Sequence, residues 1–169
     1  LRLELPVGTT AEAGERVHHL TVDFGDHQES LEFVVTVHRA LVPPVNQAAA
    51  AYINWHSIDN ICSAHGVEKW SEPFWAMVAQ YAKLMARGRQ NAFWFSWGDY
   101  FTIDAEGNVT DFKRERLERY IRVFLDAGLT IIHGAPMYGR RDWEHTDMLL
   151  YVPSADGKQI DAVSDKTKR

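Results

Sequence analysis

The run Asn91-Ala92-Phe93-Trp94-Phe95-Ser96-Trp97 decides how the rest of the chain is understood. Its near-continuous apolar character suits a strand covered on both faces, the usual condition of a parallel strand between helices. Upstream, Ser71 is a good N-cap and Pro73 falls in a first helical turn. Phe74, Val78, Tyr81, Ala82 and Met85 then recur at the spacing of one helix face, and Gly88 is placed to stop that helix. Downstream, Asp111 is placed to cap a second helix. Leu117, Tyr120, Ile121, Phe124 and Leu125 form its apolar stripe, and Gly128 ends it. Leu129-Thr130-Ile131-Ile132-His133 follows as another strand, and Ala51-Tyr52-Ile53-Asn54-Trp55 is a short strand candidate before the first helix.

Strands near 51, 91 and 129 with helices between them give a β-α-β-α-β order. That order predicts an α/β fold with parallel strands and right-handed crossovers. Three strands leave open whether the sheet is open or closed. A complete eightfold barrel takes roughly 200–250 residues, more than follow Pro44. Ile103 and Val109 flank Asp104-Ala105-Glu106-Gly107-Asn108, a small hairpin excursion. Met148–Val152 and Gln159–Val163, around Asp156-Gly157, form a further expected hairpin.

Residues 1–42 follow a different rule. Val17, Leu20, Val22 and Phe24 suggest a strand and Gly25-Asp26 a turn. Leu31, Phe33, Val35 and Val37 then alternate with Glu32, Val34, Thr36 and His38. Period two marks a half-buried strand, and two strands about a short turn make a hairpin. A hairpin alone is marginal in water, so this segment calls for more sheet than it carries. Pro43-Pro44 cannot join a central ladder, which places a domain boundary there, with 43–50 as linker and 51–169 as the second domain.

Composition excludes several classes. The 169 residues carry 18 Lys and Arg against 23 Asp and Glu, a net charge of −5, and 46% are hydrophobic. That is a folded chain, not a disordered one. It has no basic stripe for nucleic acid and no apolar run of the ~18 residues a membrane helix needs. The single cysteine, Cys62, cannot form an internal disulfide. Six Trp, six Tyr and eight Phe make 12% aromatic, a supply suited to cores and carbohydrate sites. The chain begins without Met or a signal-peptide pattern, inside an apolar/polar alternation, and stops in the basic run Lys166–Arg169. A piece of a longer polypeptide is therefore expected, with a small protein whose Met has been removed as the alternative.

In parallel α/β folds, ligands sit at the carboxyl ends of strands. The three expected strands end in Asn54-Trp55-His56, Trp97-Gly98-Asp99 and His133-Gly134. Asn54 and His56 are two apart and so share a side. Asn54, His56 and His133 can hydrogen-bond hydroxyls, and Trp97 can offer a flat face to a sugar ring; these four are the expected substrate-binding residues. Each Trp also has a plain role in core packing, above all Trp70 and Trp75. Among the acids, only Asp99 lies just past a strand end, and no Asp-Glu pair is adjacent anywhere. No nucleophile motif or phosphate loop occurs. Eight His are many, but no His-x-His or His-Glu-x-x-His is present, so no metal or cofactor is expected.

The stretch from Tyr52 to about Arg140 resembles the catalytic domain of glycoside hydrolase family 123. The matching words are Asn54-Trp55 and His65-Gly66-Val67-Glu68-Lys69-Trp70-Ser71-Glu72-Pro73-Phe74-Trp75, then Tyr81–Ala86 with Arg89-Gln90-Asn91, Asp111-Phe112 and Phe124–Gly128. The resemblance implies a (β/α)8 TIM-type barrel, here incomplete and limited to its first three βα strands. It also makes residues 1–42 the C-terminal strands of a preceding β-sandwich. The implied activity is retaining, substrate-assisted removal of N-acetylgalactosamine, in which the substrate's acetamido oxygen attacks the anomeric carbon. An Asp orients that group and an adjacent Glu is acid, then base. This sequence lacks the pair, so no catalytic residue carries over. The expected partners are a carbohydrate substrate and the remainder of the barrel, since three strands leave an open edge. A non-catalytic carbohydrate-binding protein is the alternative, and a metal-dependent barrel hydrolase using His56, His133 and His145 the second.

Overall fold

The structure is a computed structural model that describes residues 3–104, 106–140, 144 and 148–154. Two compact units divide the chain, Leu1–Pro43 and Pro44–Arg169.

The first unit is built on β1 (Gly14–Asp23) and β2 (Gln28–Val37), antiparallel from Gly14 opposite Val37 to Asp23 opposite Gln28. Asp23 closes the turn: one carboxylate oxygen accepts from the Gly25 amide at 2.8 Å and the other from the Gln28 side chain at 2.9 Å. Those bonds hold the Asp23 carboxyl below its ordinary range. Leu20, Val22, Phe33, Val35 and Val37 share one face of the ribbon by strand alternation. The β-sandwich remnant expected here is not what the residues form. Among the described residues their unit holds a single two-stranded sheet, and the apolar side chains remain half-buried or exposed.

The barrel expectation is also overturned. Among the described residues of the second unit every sheet has two strands. β3 (Ala92–Phe95) pairs in parallel with β6 (Ile131–Gly134). β4 (Phe101–Ile103) and β5 (Val109–Phe112) form the expected small hairpin. β7 (Tyr138–Arg140) pairs antiparallel with β8 (Met148–Leu150). The second unit is a mixed α/β arrangement, and the barrel remainder expected as a partner loses its basis. Gln159–Val163 and Asp156-Gly157 lie outside the described residues.

The third parallel strand fails because side chains distant in sequence take up its backbone bonds. Residues 51–57 run beside β3 but are bonded largely through side chains. The Tyr52 carbonyl accepts from both the Asn91 and Ala92 amides, at 3.2 and 3.1 Å. The Tyr52 amide donates to Asn91 Oδ1 at 2.7 Å. Further along, Gln90 Nε2 reaches the Asn54 carbonyl at 3.4 Å, and Trp94 Nε1 donates to the His56 carbonyl at 2.8 Å. These bonds engage part of the segment's polar backbone without a repeating ladder. The Gln90-Asn91 pair, both buried, is thus a tie for the preceding segment.

Three helices complete the unit. α1 (Ile58–His65) was not foreseen. Ser57 caps it by accepting from the Asn60 amide at 3.2 Å, and Gly66 ends it in the left-handed region at φ 62°. α2 (Glu72–Arg87) has Ser71 as N-cap and Gly88 after its last turn. α3 (Arg114–Asp126) begins after Lys113, not at Asp111. Asp111 belongs to β5, opposite Thr102, and its carboxylate is engaged by Lys113.

The core lies where α2 and α3 cover one side of β3. Phe74, Val78 and Ala82 from α2 meet Tyr120 and Phe124 from α3 over Phe93 and Phe95, with Leu129 closing the end. Phe93 and Phe124 stack at 4.5 Å and 7°. Such a ring pair adds about 0.5–1.5 kcal/mol beyond the burial of its area. Trp94, between Phe93 and Phe95, projects to the other side of the strand. No helix among the described residues is long and apolar enough to cross a membrane.

Candidate functional site

β3 delivers its chain to a cavity of ≈ 190 Å³ at its carboxyl end. Trp94 and Phe95 line it from the strand and Ser96 from just after it, with His56 and Ser57 from before α1 and Asp59 from its first turn. Asp99 and Tyr100 contribute from the turn after β3, and Tyr120 from α3. The size is below the roughly 300–1,000 Å³ of drug-sized sites and limits an occupant to one small ring.

His56 is the best-defined polar group in this wall. Its Nε2 is 2.8 Å from the Tyr120 hydroxyl, and its ring lies against Phe124 at 5.5 Å. Tyr120 donates its proton to the Trp94 carbonyl at 3.2 Å. A phenol has one proton to give, so His56 Nε2–H donates to Tyr120 and Nδ1 is left as a bare acceptor. Burial pushes the His56 imidazole down to about 4, so it is neutral at physiological pH.

Tyr100 is 1% exposed. Burial, followed by the neighbouring Tyr120 and Asp99, raises its phenol well above the ordinary value. Burial likewise raises Tyr120. Two buried side-chain atoms find no hydrogen-bond partner among the described residues: His56 Nδ1 and the Tyr100 hydroxyl. The two residues that carry them line this one cavity. An unpaired buried polar atom costs about 1–3 kcal/mol, so two on the lining residues of one small cavity suit a ligand that supplies an acceptor and a donor. A hydroxyl group does both.

The acids of the site are already engaged. Lys69 Nζ lies 2.8 Å from Asp59 Oδ1 and 2.7 Å from Asp99 Oδ1. The Asp99 side chain is 18% exposed and that of Asp59 74%, so the inner arm of this bridge is the better shielded. Burial works against the Lys69 charge, but hydrogen bonds to Asp59 and Asp99 outweigh it and hold the ammonium above its usual value. Both carboxylates are thus occupied as acceptors by one ammonium.

Of the four substrate-binding residues expected from the sequence, only His56 lines the cavity. Asn54 is exposed, and its Nδ2 donates to the Tyr52 hydroxyl at 2.7 Å. Trp97 donates its indole N–H to the Ala135 carbonyl at 2.6 Å and packs edge-on to Phe95 at 4.8 Å, on the margin of the core. A Cβ at Gly134 would stand 2.7 Å from Trp97 Cζ2, which shows how closely that indole lies on β6. His133 is exposed on β6, paired in register with Trp94. Tyr100, Tyr120, Asp59 and Lys69 were not expected in a site. One signal was available: a Tyr within an apolar helix stripe, as at Tyr120, needs a hydroxyl partner when buried. Among the described residues no three His, Cys, Asp or Glu side chains gather as metal ligands, and His145 lies outside those residues.

No protein-family model matches this chain, and no curated protein is found to be similar to it.

Proposed function

We propose that the cavity at the carboxyl end of β3 binds one uncharged sugar ring. In this proposal the chain is the carbohydrate-recognising part of a protein related to glycoside hydrolase family 123, with N-acetylgalactosamine as the sugar. The observation that carries the reading is that the two residues with an unpartnered polar atom, His56 at Nδ1 and Tyr100 at its hydroxyl, both line one aromatic-walled cavity. A sugar hydroxyl donates to His56 Nδ1 and accepts from Tyr100, while Trp94, Phe95 and Tyr120 supply the apolar walls. Neutral His56 favours an uncharged ligand.

Hydrolysis is not assigned to these residues. The substrate-assisted mechanism needs a carboxylate to orient the acetamido group and a neighbouring carboxylic acid to protonate the leaving oxygen. The sequence has no adjacent Asp-Glu pair, and Asp59 and Asp99 share Lys69. For the chain itself this favours recognition without cleavage.

Titration with N-acetylgalactosamine, followed by NMR at the His56 ring and the tyrosine rings, tests the proposal. The expected result is saturable shifts at His56 and Tyr100. Tyr100→Phe should weaken binding by about 0.5–1.5 kcal/mol, the net worth of one hydrogen bond. Saturable binding that leaves both residues unperturbed would place the sugar elsewhere and overturn the assignment.

A further inference from the structure

Trp55 is 69% exposed, although it stands directly before a residue of the cavity wall. A single exposed apolar residue needs no explanation. Trp55, however, is held in a definite place: its ring stacks on that of Trp94 at 5.5 Å and 21°. Trp94 is itself pinned by its indole bond to the His56 carbonyl and forms part of the cavity wall. Two stacked indoles therefore lead from the cavity to the surface. The exposed His133 is next to Trp94 across the ladder.

We infer that Trp55 forms an outer subsite that takes a second sugar ring, joined to the one held in the cavity. This rests on the cavity being a sugar site. Continuity carries the argument, because Trp94 serves both as cavity wall and as the support of Trp55. An indole held against another aromatic ring loses little freedom when a ligand stacks on it, so contact there goes largely into affinity. The adjacent exposed imidazole of His133 suits a ring with hydroxyls on its rim and C–H groups on its face, and not a purely apolar partner.

The test compares three probes by calorimetry: N-acetylgalactosamine, a disaccharide with N-acetylgalactosamine at its non-reducing end, and the phenyl glycoside of the same sugar. The disaccharide should bind roughly two- to tenfold more tightly than the monosaccharide. Trp55→Ala should abolish that advantage and leave monosaccharide affinity unchanged, and Trp55→Phe should restore part of it. Because Trp55 is exposed, an unchanged melting temperature is expected and confirms that the variants fold. If the monosaccharide binds but the disaccharide gains nothing through Trp55, the outer subsite is wrong while the cavity assignment stands. If only the phenyl glycoside gains, the occupant is an apolar group and the second-sugar assignment is overturned. If the monosaccharide does not bind at all, both fail together.

Discussion

The two units of this chain organise their backbones differently. In Leu1–Pro43 a ten-residue ladder runs in perfect register from Gly14 opposite Val37 to Asp23 opposite Gln28, yet no described side chain is fully buried. Among the described residues of the second unit the strands are only three or four residues long and pair in twos. There Phe74, Val78, Ala82, Phe93, Phe124 and Leu129 are completely enclosed. Regular hydrogen bonding and burial are thus separable. The ladder follows from a period-two pattern and a turn, which are local. Burial needs elements distant in sequence to meet, and apolar burial is the dominant favourable term in folding. The candidate site lies in the unit with the core. Only a packed framework can hold polar atoms such as His56 Nδ1 and the Tyr100 hydroxyl away from water.

The largest expected effect tests this contrast directly. Phe124→Ala removes a ring at the centre of the core and should cost about 3–5 kcal/mol in chemical denaturation. Leu31→Ala in the hairpin, 59% exposed, should change stability by no more than about 0.5 kcal/mol. Equal losses would mean that the hairpin buries more than its own unit shows.

A second prediction concerns pH. Burial holds folded His56 at about 4, against 6.5 for the free side chain. As pH falls through that window the unfolded chain takes up a proton that the folded chain refuses. The contribution of His56 is therefore complete above about pH 6.5 and is lost toward pH 4, on the order of 3 kcal/mol in all. Stability measured across this range should rise with pH, and His56→Gln should flatten the rise. An NMR titration of His56 with an ordinary midpoint would remove the basis for this expectation.

Gly134→Ala is next in size. Its Cβ would stand 2.7 Å from Trp97 Cζ2, so the indole must shift or β6 must yield. We expect a loss of about 1–3 kcal/mol and a changed tryptophan emission spectrum. The smallest effect has the opposite sign. Tyr100→Phe removes a buried hydroxyl that has no partner, so ligand-free stability should hold or rise by about 1 kcal/mol even as sugar affinity falls. A clear loss of stability in ligand-free protein would show that the hydroxyl has a partner after all.

How much of this was legible in the sequence depends on the range of the interaction involved. α2 was, from Ser71 and Pro73 at its start to the stripe Phe74, Val78 and Ala82 and the stop at Gly88, because caps and periodicity act within a few residues. α1 was missed because its eight residues follow an apolar run that resembles a strand, although Ser57 and Gly66 mark its two ends. Asp111 looks like a helix cap, but the β4–β5 pairing claims it first. The strand expected at Ala51–Trp55 fails because Asn91, Gln90 and Trp94, nearly forty positions away, meet its backbone with side chains.

Sequence alone was enough for the first hairpin, the parallel character of the strand pair at 92–95 and 131–134, and the longest helix among the described residues. Each follows from steric restriction or from a hydrophobic period, both carried by neighbouring residues. Tertiary structure alone decided that the parallel strands number two, that His56 joins the cavity while Asn54, Trp97 and His133 do not, and that Lys69 ties Asp59 to Asp99. Those outcomes depend on which buried polar groups find partners across the fold. That competition is settled only when Tyr100 from the turn after β3, Tyr120 from α3 and His56 from before α1 are packed against one another.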